Sequence, residues 1–247
     1  MIDTYNTLVT KQQRRHVSVR AFSDRPVSDT MIRDILNTAR RAPTSSNRQT
    51  YSMIVVRDPE TRKQLAVLAG NQAHINQCQV FVAYCADLTR VDLACQMHDA
   101  ALVPGLELTL VSTVDAALVG MTANTAIESF GLGCVMVGAM RNHPKKVAEL
   151  LGLPKGVYVV FGMSIGWPDP DNYPAQKPRL AEEAIIHYEK YDGSNAREQL
   201  EAYNGELADF YGTRNQHPDA FTGPIAKQLQ HRRRPELRST LEALGFS

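Results

Sequence analysis

The sequence predicts an α+β fold, a sheet covered by helices on both faces, and three observations carry that prediction. Residues 51–56 form a short β-branched run followed at once by a helix signal. Residues 134–138 and 157–165 are apolar runs of strand length with a helical stretch between them. Residues 106–130 form a long helical pattern rich in Leu, Val, Ala and Met. Helices and apolar strands that alternate in this way require a sheet buried on both sides.

Taken in order, a polar first segment containing Leu8 and Val9 reads as a helix and gives way at His16-Val17-Ser18-Val19-Arg20 to an extended, alternating stretch. Pro26 and Ser28-Asp29 start a second helix, whose face is Met31, Ile32, Ile35, Leu36 and Ala39 and which ends by Pro43. Residues 43–49 are a polar loop. After the strand 51–56, Asp58-Pro59 supplies an N-cap and a first-turn proline, Leu65 and Leu68 an apolar face, and Gly70 the C′ position. Residues 79–86 read as the next strand. The 106–130 helix is apolar nearly all round, so it is expected to be central and buried on several sides. Residues 144–151 give a short helix before the last strand. Beyond Trp167 four prolines, 168, 170, 174 and 178, mark an extended connector, and residues 196–211 form a mostly polar helix. The expected organisation is therefore a core over 1–167 and a connector with a helical extension over 168–247. That extension has too few apolar residues for a core of its own, so it packs on the main body or on a second subunit.

The 247 residues are enough to bury a substantial core. Lys and Arg total 27 against 26 Asp and Glu, a net charge of +1, so no overall field collects nucleic acid or anionic lipid. Cys78, Cys85, Cys95 and Cys134 form no C-x-x-C pair, and no metal or disulfide role is expected of them. The polar N-terminus lacks an apolar signal region, and no apolar run is read as approaching the roughly 18 residues of a membrane span. A cytoplasmic protein is expected.

Five motifs bear on chemistry. In His16-x-Ser18-x-Arg20, alternation puts an imidazole, a hydroxyl and a cation on one side of an extended segment, which suits an anion. The alternative is a solvated edge strand. Thr44-Ser45-Ser46-Asn47-Arg48-Gln49 is dense in donors and acceptors and either lines a ligand or is an ordinary turn-forming loop. Lys177-Pro178-Arg179 holds two cations apart on a stiff residue, fit for a phosphomonoester or for a solvated linker. Gly131-Leu132-Gly133 follows a helix and opens a strand, the reverse of a dinucleotide fingerprint, so Gly131 reads as a helix C-cap and Gly138 as a place of close backbone approach. His231-Arg232-Arg233-Arg234, with Arg238 nearby, is either a solvated helix face or a contact for a 2′-phosphate or a partner; nucleic acid is a poor fit because no aromatic residues interleave. His74, His98 and His143 lack metal-ligand spacing and are taken as structural.

In this order and spacing the pieces resemble the nitroreductase family, and within it the NADPH-dependent branch. The resemblance runs from His16-Val17-Ser18-Val19-Arg20 through the loop 44–49, Gln72, the stretch 131–142, Phe161-Gly162, Gly166-Trp167-Pro168 and Lys177-Pro178-Arg179-Leu180 to Tyr211-Gly212-Thr213-Arg214. It implies a nitroreductase-like mixed β-sheet flanked by helices with a C-terminal extension, and a homodimer with FMN at its interface. By that resemblance His16, Ser18, Arg20, Lys177 and Arg179 hold the phosphate and ribityl chain. Thr44, Ser45, Ser46 and Gln49 are the loop brought by the partner, Gln72 and Arg141 meet the polar edge of the ring, and a backbone N–H of Gly138 or Ala139 faces N5. Arg214 and Arg234 are the expected contacts of the NADPH 2′-phosphate. Two departures stand out: Val17 replaces a commonly basic residue and Asn47-Arg48 a more apolar pair, the second near the expected substrate pocket. No catalytic side chain is expected, since a flavin carries the electrons while the protein binds and orients. The implied activity is ping-pong hydride transfer from NADPH to nitro compounds, quinones or flavins. The alternatives are a flavin reductase releasing free FMNH2, a specialised enzyme of the same fold, and a non-catalytic flavin-binding or regulatory protein.

Overall fold

The computed structural model describes residues 5–213, 216–231 and 233–246. The chain divides into two compact units, one running to Pro174 and resuming at Glu236, the other spanning Ala175–Pro235.

The first unit begins with α1 (Leu8–Arg14) and α2 (Asp29–Ala39), the latter capped by Ser28, whose side chain accepts from the Met31 N–H at 3.2 Å. Strand β1 (Tyr51–Val56) leads into α3 (Pro59–Leu68), where Asp58 accepts from Thr61 N–H at 2.7 Å as the cap expected of it. A short α4 (Ala73–Gln77), β2 (Val80–Asp87) and α5 (Thr89–Gln96) follow. The long α6 (Leu106–Ser129) ends at Gly131, whose φ of +80° is the left-handed C′ position that the sequence assigns to it. Strand β3 (Gly133–Val137), α7 (Pro144–Leu151) and β4 (Val157–Gly166) close the sheet.

The strand order is β1-β2-β4-β3. A mixed sheet is the sequence expectation; every pairing among the described residues is antiparallel. The 24-residue α6 carries the chain back along the sheet from β2 to β3, which run the same way, but β4 lies between them and pairs with both in the opposite sense. Both faces are covered. Along β2, Val80, Val82, Tyr84 and Ala86 join the core under α2 and α6, while Phe81, Ala83 and Cys85 join the core under α3, α4 and α7. Strand β4 carries a bulge opposite Tyr84 and Cys85 that leaves Val160 unmatched. Val160 and Phe161 consequently both face α6, and the reversed alternation beyond them turns Ser164 toward α4, where it meets His74.

Helix α6 departs from expectation. Its buried residues, among them Ser112, Asp115, Val119, Ala123, Asn124 and Ile127, form one face only. The opposite face exposes Leu106, Leu110, Val114, Leu118 and Met121 at intervals of three and four. An all-round apolar composition says how much surface a helix could bury and not how much its own chain covers. By length and composition α6 also passes for a membrane-spanning helix, contrary to the reading of no such run. It packs on the sheet through Ala116, Val119, Ala123 and Ile127, as a core helix does.

The second unit contains α8 (Ala196–Phe210) and α9 (Thr222–Leu229). Asn204 joins them: its Oδ1 accepts from the N–H groups of Phe221 and Thr222, both at 2.9 Å. His231, Arg233 and Arg234 lie in an irregular bend after α9 and not on a helix face; Arg234 has φ +50°. The chain then rejoins the first unit through α10 (Leu237–Ala243), and Phe246 packs edge-on against Tyr158 at 4.7 Å.

Candidate active site

The segment 16–20 is extended, as its alternation requires, and Val19 pins it. Val19 is 2% exposed and its N–H donates to the Cys134 carbonyl at 3.0 Å, so the segment runs beside the start of β3. Burying Val19 leaves Arg20 exposed and Ser18 half-buried on its flanks. The approach is close because residue 133 is glycine: a Cβ there would stand 2.6–2.8 Å from the Val19 side-chain carbons. Gly133→Ala must therefore displace Val19, at a cost of about 1–3 kcal/mol in chemical denaturation. An unchanged unfolding midpoint would show that the segment yields freely. His16 is held by Glu128, which also accepts from Gln12 at 3.3 Å and Asn124 at 3.2 Å.

On the α4 side of the sheet stand Gln72, at the N-terminus of α4, and His74, which is 8% exposed. Gln72 Nε2 donates to the Ala69 carbonyl at 3.2 Å, and its Oε1 lies 2.7 Å from His74 Nε2. His74 Nδ1 lies 3.0 Å from Ser164 Oγ. Burial first, and then the charge of Arg20, pushes the His74 pKa down to about 4. Arg20 and His74 are thus within electrostatic reach of one another. Gly138 and Ala139 head a 3₁₀ turn, Gly138–Asn142, and the leading N–H groups of such a turn are not used within it. Arg141 folds over Gly138 and donates to the carbonyl of Val160, the bulged residue whose place in the ladder is irregular. One arm of that guanidinium is accordingly committed to the sheet.

The loop 44–49 lies elsewhere on α6. Asp115, fully buried, accepts from the Ser45 N–H at 3.0 Å, the Thr50 N–H at 3.1 Å and the Thr50 hydroxyl at 2.7 Å. One carboxylate therefore ties down both ends of the loop. Between them Ser46, Asn47 and Gln49 all have positive φ, from 50° to 55°, an uncommon conformation for side chains of this kind. Arg90 grips the exit, donating to the carbonyls of Gln49 and Tyr51 while it pairs with Asp87 at 3.0 Å. Thr44, Ser45, Ser46 and Gln49 are consequently held in a fixed shape and largely presented outward.

In the second unit Lys177 and Arg179 are exposed. The Pro178 carbonyl between them accepts from the Tyr203 hydroxyl at 3.0 Å, and the Lys177 ammonium stands 5.3 Å from the Tyr211 ring centre. Arg234 is half-buried in the bend after α9. Arg214 lies outside the described residues.

Within the first unit, then, the segment 16–20 bonds to β3 at Cys134, Val135 beside it pairs with Ser164, and Ser164 meets His74, the partner of Gln72, while the loop 44–49 is set apart. Its anchor Asp115 and the anchor of His16, Glu128, are separated along α6 by roughly 20 Å at about 1.5 Å per residue. Sequence reading missed Asp115, Glu128 and Arg90, and it set His74 aside as structural. A carboxylate inside an apolar helix was the available signal for Asp115; Arg90 and Glu128 resemble ordinary surface charges until their partners are seen.

Comparison with known proteins agrees over nearly the whole chain. The model of the nitroreductase family matches residues 13–167, and that of the nitroreductase family C-terminal domain matches 177–247. A Salmonella typhimurium protein named oxygen-insensitive NADPH nitroreductase is 39% identical, with 94% of this chain and 95% of that protein covered. A Bacillus subtilis protein named FMN reductase, with the qualifier NAD(P)H, is 36% identical, with 96% and 97% covered. The solved structure of NfrA2 from B. megaterium superposes with a TM-score of 0.92 at 35% identity, covering 98% of this chain and 99% of that one. The chain belongs to the nitroreductase family and is therefore an oxidoreductase.

Proposed function

We propose that this protein is an FMN-dependent oxidoreductase that takes hydride from NADPH and delivers it to nitro compounds, quinones or flavins. Its relatives' names support the reading, and the observation that carries it is the run of contacts from Val19 through Cys134, Ser164 and His74 to Gln72, which links the segment bearing Ser18 and Arg20 to that carboxamide. Those residues fit the group. An exposed guanidinium beside a hydroxyl matches a phosphate, and a half-buried carboxamide matches the carbonyl-rich edge of a flavin. When bound, FMN supplies the hydride-accepting and hydride-donating chemistry that no side chain can. The chain's residues bind and orient. Arg20, Ser18 and His16 hold the phosphate and ribityl chain, with Lys177 and Arg179 as further cations for it. Gln72 donates to the ring edge with Arg141 nearby, and the N–H of Gly138 or Ala139 faces N5. Arg214, with Arg234, reads the 2′-phosphate of NADPH. Donor and acceptor visit one opening in turn, so the kinetics are ping-pong.

The working form is a homodimer in the cytoplasm. Two features support the dimer. The loop 44–49 is held some 20 Å along α6 from the anchor of His16, so Thr44, Ser45, Ser46 and Gln49 serve the flavin of a second copy. The exposed stripe Leu106, Leu110, Val114, Leu118 and Met121 gives that copy an apolar surface. The division into a core over 1–167 and an extension over 168–247 is kept as a functional one: the core carries the flavin edge, the extension the nucleotide contacts. The expected result on purification is a yellow dimer by light scattering whose flavin absorbance bleaches with NADPH. A bound flavin that NADPH leaves oxidised would favour a binding protein, and a flavin-loaded monomer would exclude the shared site. Turnover with nitrofurans, quinones and free FMN ranks the acceptors.

A further inference from the structure

Gln72 is asked to donate to a ligand, yet a carboxamide is ambiguous: turned by half a revolution it presents an acceptor instead. We propose that His74 is a positioning residue that fixes the polarity of the Gln72 carboxamide, so that the amide keeps an N–H and not its oxygen toward the flavin ring edge. The proposal rests on the flavin reading above.

The hydrogen-bond network determines the orientation. Gln72 Nε2 has one hydrogen on the Ala69 carbonyl at 3.2 Å, so its Oε1 is the atom 2.7 Å from His74 Nε2. An oxygen can only accept, so the His74 proton sits on Nε2. Nδ1 then accepts from the Ser164 hydroxyl at 3.0 Å. Neutral imidazole has one donor and one acceptor, and both are used in full here. Ser164 is fully buried on β4, and the bulge at Val160 is what turns it toward His74. The backbone on either side is also held: Gln72 N–H donates to the Ala66 carbonyl at 3.3 Å, and Ile75 N–H to the Gln72 carbonyl at 3.1 Å. Burial and the neighbouring charge of Arg20 keep the imidazole neutral at physiological pH. With side chain and main chain both anchored, the second Nε2 hydrogen of Gln72 remains for a ligand. Without the His74 donor, only the weaker bond to Ala69 distinguishes the two amide orientations among the described residues.

A double-mutant cycle on the flavin-loaded protein tests this. His74→Ala is expected to raise the FMN dissociation constant about 5- to 10-fold, one lost hydrogen bond in size, and to shift the flavin midpoint potential negative because a donor to the reduced ring edge is lost. Gln72→Ala should do the same, and His74→Ala in the Gln72→Ala background should then add nothing. His74→Gln, whose amide again offers a donor and an acceptor, should restore most of the potential. Additive losses, or a His74→Ala protein with unchanged potential, would overturn the proposal, since a purely structural histidine would lower stability without reading through Gln72. If the protein binds no FMN, the functional reading fails separately. Imidazole ¹⁵N shifts on the flavin-free protein then decide: Nε2–H sensitive to Gln72→Ala supports the positioning bond, and Nδ1–H or imidazolium at neutral pH excludes it.

Discussion

Asp115→Ala is expected to destabilise the protein by about 3–5 kcal/mol in chemical denaturation, the largest single effect anticipated outside wholesale core replacement. The buried carboxylate is the shared acceptor of three donors, and two of them belong to Thr50, itself buried. Truncation leaves the Thr50 N–H and hydroxyl without an acceptor where water does not reach. The loop is also under tension. Ser46, Asn47 and Gln49 sit at positive φ, each costing on the order of 1 kcal/mol that its anchors must offset. Asp115→Asn keeps the volume but faces those N–H groups with an amide, so hydrogen exchange at Ser45 and Thr50 should accelerate even where the global melt moves less. An Asp115→Ala protein within about 0.5 kcal/mol of the parent would show that the loop is held by other means. Under the dimer proposal the same variant should also release FMN from the partner's site.

Arg20→Ala is expected to separate binding from folding. Losing a charge-assisted contact to phosphate costs about 1.5–3 kcal/mol, a rise of about 10- to 150-fold in the FMN dissociation constant. Stability should hardly change. The Arg20 side chain is exposed, and its described bond is a 3.5 Å contact to the Ser18 carbonyl, so its truncation removes no packing. Fluorescence titration of the flavin-free variant with FMN measures the loss. Retention of flavin equal to the parent's would move the phosphate away from this segment.

These two residues illustrate how differently site residues announce themselves. Arg20 was legible because its neighbours in sequence are also its neighbours in space: an extended strand places positions 16, 18 and 20 on one side. The same locality made the caps readable, with Ser28, Asp58, Pro59, Gly70 and Gly131 all acting where their own side chain or φ decides the outcome. Asp115 bonds across a separation of 65 residues or more and Glu128 reaches His16 across 112. No periodicity or motif reports such a pair. The short α4 and α5 were missed for a related reason: helices this short form only where tertiary contacts hold them, and neither has a side-chain cap or the first-turn proline that makes the similarly short α7 readable.

By itself the sequence determined the α+β class, the family and the order of its strands and principal helices, because these follow from capping chemistry, hydrophobic period and a series of spaced motifs. Only the tertiary structure decided three things. It made all the strand pairings antiparallel, because β4 lies between β2 and β3, the two strands that run the same way, and pairs with both in the opposite sense. It left one face of α6 uncovered, because coverage depends on what the rest of the chain brings to a helix and not on the helix's composition. It gave His74 and Asp115 their work, because a hydrogen bond between residues distant in sequence exists only once the fold has brought donor and acceptor together.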